Sequence, residues 1–194
     1  MKKVISINGG DFRDIEEADL IEVREDFVQL SKIKKPLIYK VDKGSQIDEN
    51  LTRKASYVDV EIDTSEEKIK NIKKINPKIK LIISFHDYSG TPKTEVLKKH
   101  YKKMIKMNPD IVKFATKANY VQDSFRMLEF LTYLQEKKQN SICVCMGEKG
   151  VITRMVGHLF GNKLMYFGSS QKTKTAEGQL TIKEFKSLYP WDLK

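Results

Sequence analysis

Two cysteines, Cys143 and Cys145 in "SICVCMG", are all the chain has among its 194 residues. Two residues apart on a strand they point to the same face, where a disulfide would be strained. With no further cysteine and no histidine cluster nearby, a zinc site is not expected. Both read as small buried hydrophobes in a reducing compartment. Long apolar runs are also missing: nothing approaches the ~20 residues a membrane span needs. The opening "MKKVISINGG" is too briefly apolar for a secretory leader, so the expected address is the cytoplasm. Neither low-complexity tracts nor internal repeats interrupt the chain, and its length predicts one domain over residues 1–194.

Acid is scarce relative to base. Thirty-six Lys and Arg face 26 Asp and Glu, a formal net charge of +10. Such a balance raises the question of nucleic acid, but the lysines are spread over amphipathic stretches such as "EEKIKNIKKINPKIK". They mark solvated helix faces. No zinc finger, RNP-like motif or basic-aromatic platform is present, so no nucleic-acid partner is expected. A positive field would instead draw in a small anion.

Short apolar runs recur at residues 4–7, 20–23, 36–40, 57–62, 81–85, 111–115, 141–145 and 164–167. Helical patterns separate them, at 12–18, 27–34, 46–54, 66–75, 93–107, 121–138 and 151–160, with a last one at 181–189. Strand–helix alternation implies a parallel sheet covered by helices. Eight such units predict a closed (β/α)₈ TIM barrel, compact at this length, with a shortened first helix. The rival, an open doubly wound sheet, lacks its G-x-G-x-x-G after the first strand; "INGGDF" reads as a turn.

In a barrel the C-terminal strand ends carry the chemistry, and here they are polar. The second closes with "IEVRED", placing Glu22 and Arg24 on one face; the third closes with Lys40. The fourth, "YVDVEID", holds Asp59 and Glu61, which would fill the polar mouth of any barrel. The fifth leads into His86 of "SFHDY", the sixth carries Lys113 inside "DIVKFATKA", and Arg154 follows the seventh. Taken singly, an E-x-R pair reads as a surface salt bridge and a lone histidine as a hydrogen-bonded loop residue. A lysine within an apolar strand is harder to dismiss. Burial among apolar groups and other cations is expected to lower its pKa, leaving some neutral amine to add to a carbonyl. Imidazole gains and loses protons near neutral pH, and arginine forks suit carboxylates.

Together "ADLIEVRED", "PLIYK", "IISFHDYSGTP", "DIVKFATKA", "GVITRMVGHLFG" and "TAEGQL" occur in an order that resembles type I 3-dehydroquinate dehydratase over nearly the whole chain. The resemblance implies a barrel that converts 3-dehydroquinate to 3-dehydroshikimate in the shikimate pathway without metal or cofactor. It implies Lys113 as the Schiff-base lysine and His86 as the general acid/base. Substrate contacts would fall to Ser6, Glu22, Arg24, Lys40, Arg154, Thr175 and Gln179, with Arg154 on the substrate carboxylate. A homodimer is a further implication, although no interface is legible. Three departures stand out. Lys40 replaces the family's arginine, and Thr175 replaces a loop serine. The family's glutamate beside the histidine is missing from "KVDKGSQ", where only Asp42 is acidic. Competing readings are another Schiff-base barrel of the aldolase kind, a polyanion-binding basic protein, and an inactive descendant of the family. His100 and His158 read as exposed helix positions, and Trp191 as an anchor for the C-terminal turn.

Overall fold

The computed structural model describes residues 1–7, 14–24, 31, 33–169 and 176–189. Eight strands follow one another: β1 Lys2–Ser6, β2 Leu20–Val23, β3 Leu37–Lys40, β4 Tyr57–Glu61, β5 Lys80–Asp87, β6 Ile111–Lys117, β7 Ser141–Met146 and β8 Leu164–Gly168. Every ladder between them is parallel, in the order β7-β6-β5-β4-β3-β2-β1-β8. The result is a nearly closed (β/α)₈ barrel. Among the described residues six α-helices lie between and after the strands: α1 Glu49–Lys54, α2 Glu66–Ile75, α3 Thr94–Met104, α4 Val121–Glu136, α5 Val151–Val156 and α6 Ile182–Leu188. Among the described residues of the first connection, Ile15–Glu17 form a 3₁₀ turn ahead of β2. The pattern expected at 27–34 falls largely outside the described residues, as do most of "INGGDF", Thr175 and Trp191.

The helices begin where their capping chemistry allows. Asp48 accepts from the Leu51 amide ahead of α1, and Ser65 from Lys68 ahead of α2. Thr181 and Glu184 form a reciprocal capping box on α6. The apolar run at 151–160 is helical only to Val156. Gly157 then packs so close to Asn162 that a Cβ would lie 2.4 Å from its side-chain nitrogen.

Alternation along the strands sorts the chain into two cores. Outward residues such as Ile5, Ile21, Tyr39, Val58, Ile83, Phe114 and Phe167 pack under the helices. Inward, each strand gives one residue to an apolar plug: Val4, Leu20, Ile38, Tyr57, Ile82, Ile111, Ile142 and Leu164. Two residues further along each strand, the same inward face reads Ser6, Glu22, Lys40, Asp59, Ser84, Lys113, Val144 and Tyr166. The barrel therefore has a dry floor and a charged layer directly above it.

No ladder joins β7 to β8. Asn162 spans the seam instead: the Cys143 amide donates to its Oδ1 (2.8 Å), and its Nδ2 donates to the Cys143 carbonyl (3.0 Å). The Lys163 amide also donates to the Ser141 carbonyl across it. Both cysteines are buried and free, as their spacing suggested.

Candidate active site

A cavity of about 400 Å³ opens at the C-terminal end of the strands. Its wall includes Ser6, Glu22, Arg24, Lys40, His86, Lys113, Arg154 and Gln179, which are eight of the nine residues singled out in the sequence. The ninth, Thr175, lies outside the described residues.

Lys113 points inward from the middle of β6 and is 7% exposed. Its Nζ donates to Asp59 Oδ2 at 2.7 Å, lies 3.6 Å from Glu22 Oε2, and sits 4.3 Å from the centre of the Tyr166 ring. The expected lowering of its pKa does not occur. Burial alone would push it down, but the carboxylates of Asp59 and Glu22 outweigh burial and lift it to about 12. The sequence pointed to apolar neighbours and other cations. The fold supplies anions from β2 and β4.

Asp59 is fully buried under three partners. Lys113 takes one oxygen; Lys40 Nζ (3.2 Å) and the Ser84 hydroxyl take the other. Burial would raise its pKa, but Lys113, Lys40 and His86 hold it well below the usual carboxylate range. Lys40 also donates to Glu61 Oε1 at 2.6 Å; burial pulls its pKa down, but Asp59 and Glu61 together outweigh burial and raise it.

His86 lies within β5 rather than beyond it, on the strand next to Lys113. The register pairs Ser84 with Lys113 and His86 with Ala115, so the imidazole stands one inward position above the amine. Its Nδ1 is 2.7 Å from Glu61 Oε1. Asp42, the acid the sequence offered for this place, pairs with Arg24 instead. Glu22 and Arg24 likewise do not pair with each other. Glu22 Oε1 accepts from the Ser6 hydroxyl (2.9 Å), and its Oε2 is buried without a hydrogen-bond partner.

Arg154 reaches in from α5 and is 6% exposed. No carboxylate of a described residue pairs with it, its Nε is buried and unpartnered, and burial lowers its pKa to about 10. A buried cation without an anion is a site prepared for one brought by a ligand. Gln179, also buried, follows β8 on the same rim as Ala176 and Glu177.

Tyr88, Lys117, Met146 and Tyr166 line the cavity without having been anticipated. Strand alternation is the signal that would have found Lys117, Met146 and Tyr166; Tyr88 lies just past β5. The roles of Asp59 and Glu61 were missed as well, although their two-residue spacing was visible. His100 and His158 are not exposed. The first is half-buried, stacked 4.1 Å from Phe85; the second is half-buried between Phe185 and Tyr189. Among the described residues no group of three or more His, Cys, Asp or Glu could hold a metal ion.

Residues 11–193 match the family model described as Type I 3-dehydroquinase. The 3-dehydroquinate dehydratase of Methanocaldococcus jannaschii is 36% identical over 137 residues, covering 70% of this chain and 60% of that protein. The one from Alkaliphilus oremlandii is 28% identical over 196 residues, covering 91% and 76%. The crystal structure of 3-dehydroquinate dehydratase from Geobacillus kaustophilus superposes with a TM-score of 0.79 at 21% identity, covering 97% of this chain and 90% of that one, and shares the fold. The family match runs almost from end to end, over seven of the eight strands, β2 to β8, and this chain belongs to the type I 3-dehydroquinase family.

Proposed function

We propose that this protein is a hydro-lyase converting 3-dehydroquinate to 3-dehydroshikimate through an imine on Lys113, with His86 moving the protons. The observation that carries the reading is a buried strand lysine, one inward position below a histidine, in a cavity that also holds an arginine without a counter-ion among the described residues. The matched segments span 60% of the Methanocaldococcus relative's length and 76% of the Alkaliphilus one's. The activity therefore rests on the site as well as on the family.

The substrate carries a carboxylate, a C3 ketone and a C1 hydroxyl. Arg154 takes the carboxylate in a bidentate fork. The Lys113 amine adds to C3, and loss of water gives the protonated imine. His86 removes a proton from C2, and the electron pair passes into the imine to give an enamine. The C1 hydroxyl leaves as water with a proton from His86. Hydrolysis then returns the amine and the ketone.

Lys113 must first lose its own proton. Reaching the neutral amine at pH 7 from a pKa of about 12 costs roughly 7 kcal/mol. A turnover of about 10 per second corresponds to a barrier of about 16 kcal/mol, so this pre-equilibrium is compatible with catalysis. Asp59 is a poor acceptor because two lysines hold it ionised. Glu22 Oε2, unpartnered at 3.6 Å, is the available one.

Borohydride reduction in the presence of 3-dehydroquinate, followed by mass spectrometry, tests the reading. An irreversible adduct on the Lys113 peptide is expected, and none in Lys113→Ala. Full dehydration by Lys113→Ala would reject the mechanism. His86→Ala is expected to lose about 10²–10⁴-fold in turnover, and a rate within about threefold of wild type would remove it from the role. No helix among the described residues is long and apolar enough to cross a membrane. A cytoplasmic address, a small anionic substrate rather than nucleic acid, and a homodimer complete the proposal.

A further inference from the structure

Five side chains from four strands form an unbroken line of alternating charge through the barrel. It runs from Lys113 Nζ to Asp59 (2.7 Å), from Asp59 to Lys40 Nζ (3.2 Å), from Lys40 to Glu61 Oε1 (2.6 Å), and from that oxygen to His86 Nδ1 (2.7 Å). Lys40 is the middle member. It bridges two carboxylates that stand two residues apart on β4, and it is 5% exposed. A cation committed to two internal anions at these distances has little left to offer a ligand.

We propose that Lys40 acts as a positioning residue, not a substrate contact: it clamps Glu61 so that Glu61 holds Nδ1 of His86, and by sharing Asp59 with Lys113 it ties the two reacting groups into one rigid unit. This rests on the function proposed above. Three observations carry it beyond that reading. Nδ1 of His86 is buried, makes no hydrogen bond to any described residue, and lies 2.7 Å from Glu61 Oε1, so Glu61 is the group placed to orient the ring. Asp42, the other acid at this edge, is taken by Arg24. A lysine bonds each carboxylate as a point charge, which suits bridging two of them better than gripping one planar group. Holding Nδ1–H against Glu61 leaves Nε2 bare toward the cavity, the tautomer needed to take a proton from a substrate carbon.

The test combines three measurements on the full chain. Nitrogen-15 resonances of the His86 ring in mildly alkaline buffer are expected to report a single Nδ1–H tautomer in the wild type. An Nε2–H ring there would overturn the proposal without any variant. Glu61→Gln and Lys40→Met are expected to give a mixture of tautomers, with kcat lowered about 10²–10³-fold and KM within about threefold. Glu61→Asp and Lys40→Arg are expected to recover at least tenfold of that loss, and they serve where the first pair does not fold. A Lys40 variant that raises KM more than tenfold, with kcat and the ring signals unchanged, would make Lys40 a substrate contact and sink the idea. Borohydride trapping on Lys113 keeps the two levels apart. Its absence in the wild type defeats the proposed function, whereas an adduct with unchanged His86 signals in Glu61→Gln defeats only the positioning role.

Discussion

Asp59 is the residue on which the charged layer turns, because it neutralises two buried lysines at once. Removing one side of a buried ion pair leaves the other charge uncompensated, at a cost of about 3–5 kcal/mol. Asp59→Asn is therefore expected to lower the unfolding free energy by about that amount in a urea titration. It should also free the Lys113 amine from its anchor, so that an amine-directed label at neutral pH modifies it faster than in wild type. Labelling at an unchanged rate would mean that Asp59 does not hold the proton on Lys113. The pH dependence follows from the signs. Lys113 titrates higher in the fold, at about 12 against an ordinary 10.5, so its contribution is complete below about 10.5 and is lost as pH rises through 12. Asp59 titrates lower in the fold than its ordinary 3.8, so its contribution is present above that value and is lost as pH falls beneath it. Melts below pH 4 should fall more steeply for wild type than for Asp59→Asn.

Arg154 has the opposite balance at the same scale. It is a buried cation with no carboxylate partner among the described residues, and the fold bears its desolvation for the sake of a ligand. Arg154→Met is expected to stabilise the ligand-free protein by about 1–2 kcal/mol while abolishing substrate binding. A variant less stable than wild type would show that Arg154 is held by internal contacts rather than reserved for a ligand.

Among the elements, the β7–β8 seam is where the barrel lacks its ladder, and Asn162 takes the place of a missing rung. Its amide satisfies both backbone groups of Cys143, which are buried there. Asn162→Ala leaves that amide and carbonyl unpaired, each at about 1–3 kcal/mol. The expected result is a loss of about 2–4 kcal/mol in chemical denaturation, together with faster amide exchange confined to β7 and β8. Exchange unaltered in those two strands would show that the seam is held by packing alone. The seam also bears on the site. Arg154, Val144 and Tyr166 line both the main cavity and a small cleft at this edge, so loosening it should blunt carboxylate binding before it affects Lys113.

At the scale of the whole molecule, a net charge of +10 surrounds a cavity proposed to take a monoanion. A field of this kind raises the encounter rate and is screened by salt, with a Debye length of about 10 Å at 0.1 M. Raising ionic strength is expected to lower kcat/KM for 3-dehydroquinate several-fold while leaving kcat nearly constant. A kcat/KM indifferent to salt would confine the attraction to Arg154 itself.

The eight strands were legible in the amino-acid order because each is a short apolar run broken by turn and helix signals, and local alternation needs no partner to be read. So were Lys113 and His86, whose residue types are out of place at inward strand positions. What the order of residues did not determine is the company they keep. Lys113 meets Asp59 across 54 positions and Lys40 meets Asp59 across 19, and these meetings depend on how far neighbouring strands slide past one another as the barrel nearly closes. That stagger brought anions rather than apolar groups to Lys113, and so raised a pKa that composition suggested would fall. It also handed the orientation of His86 to Glu61, a residue whose spacing was visible but whose neighbour was not. Sequence periodicity decided which side chains face inward; only the register between strands decided which of them touch, because Coulomb energies depend on distances of a few ångströms that no local pattern encodes.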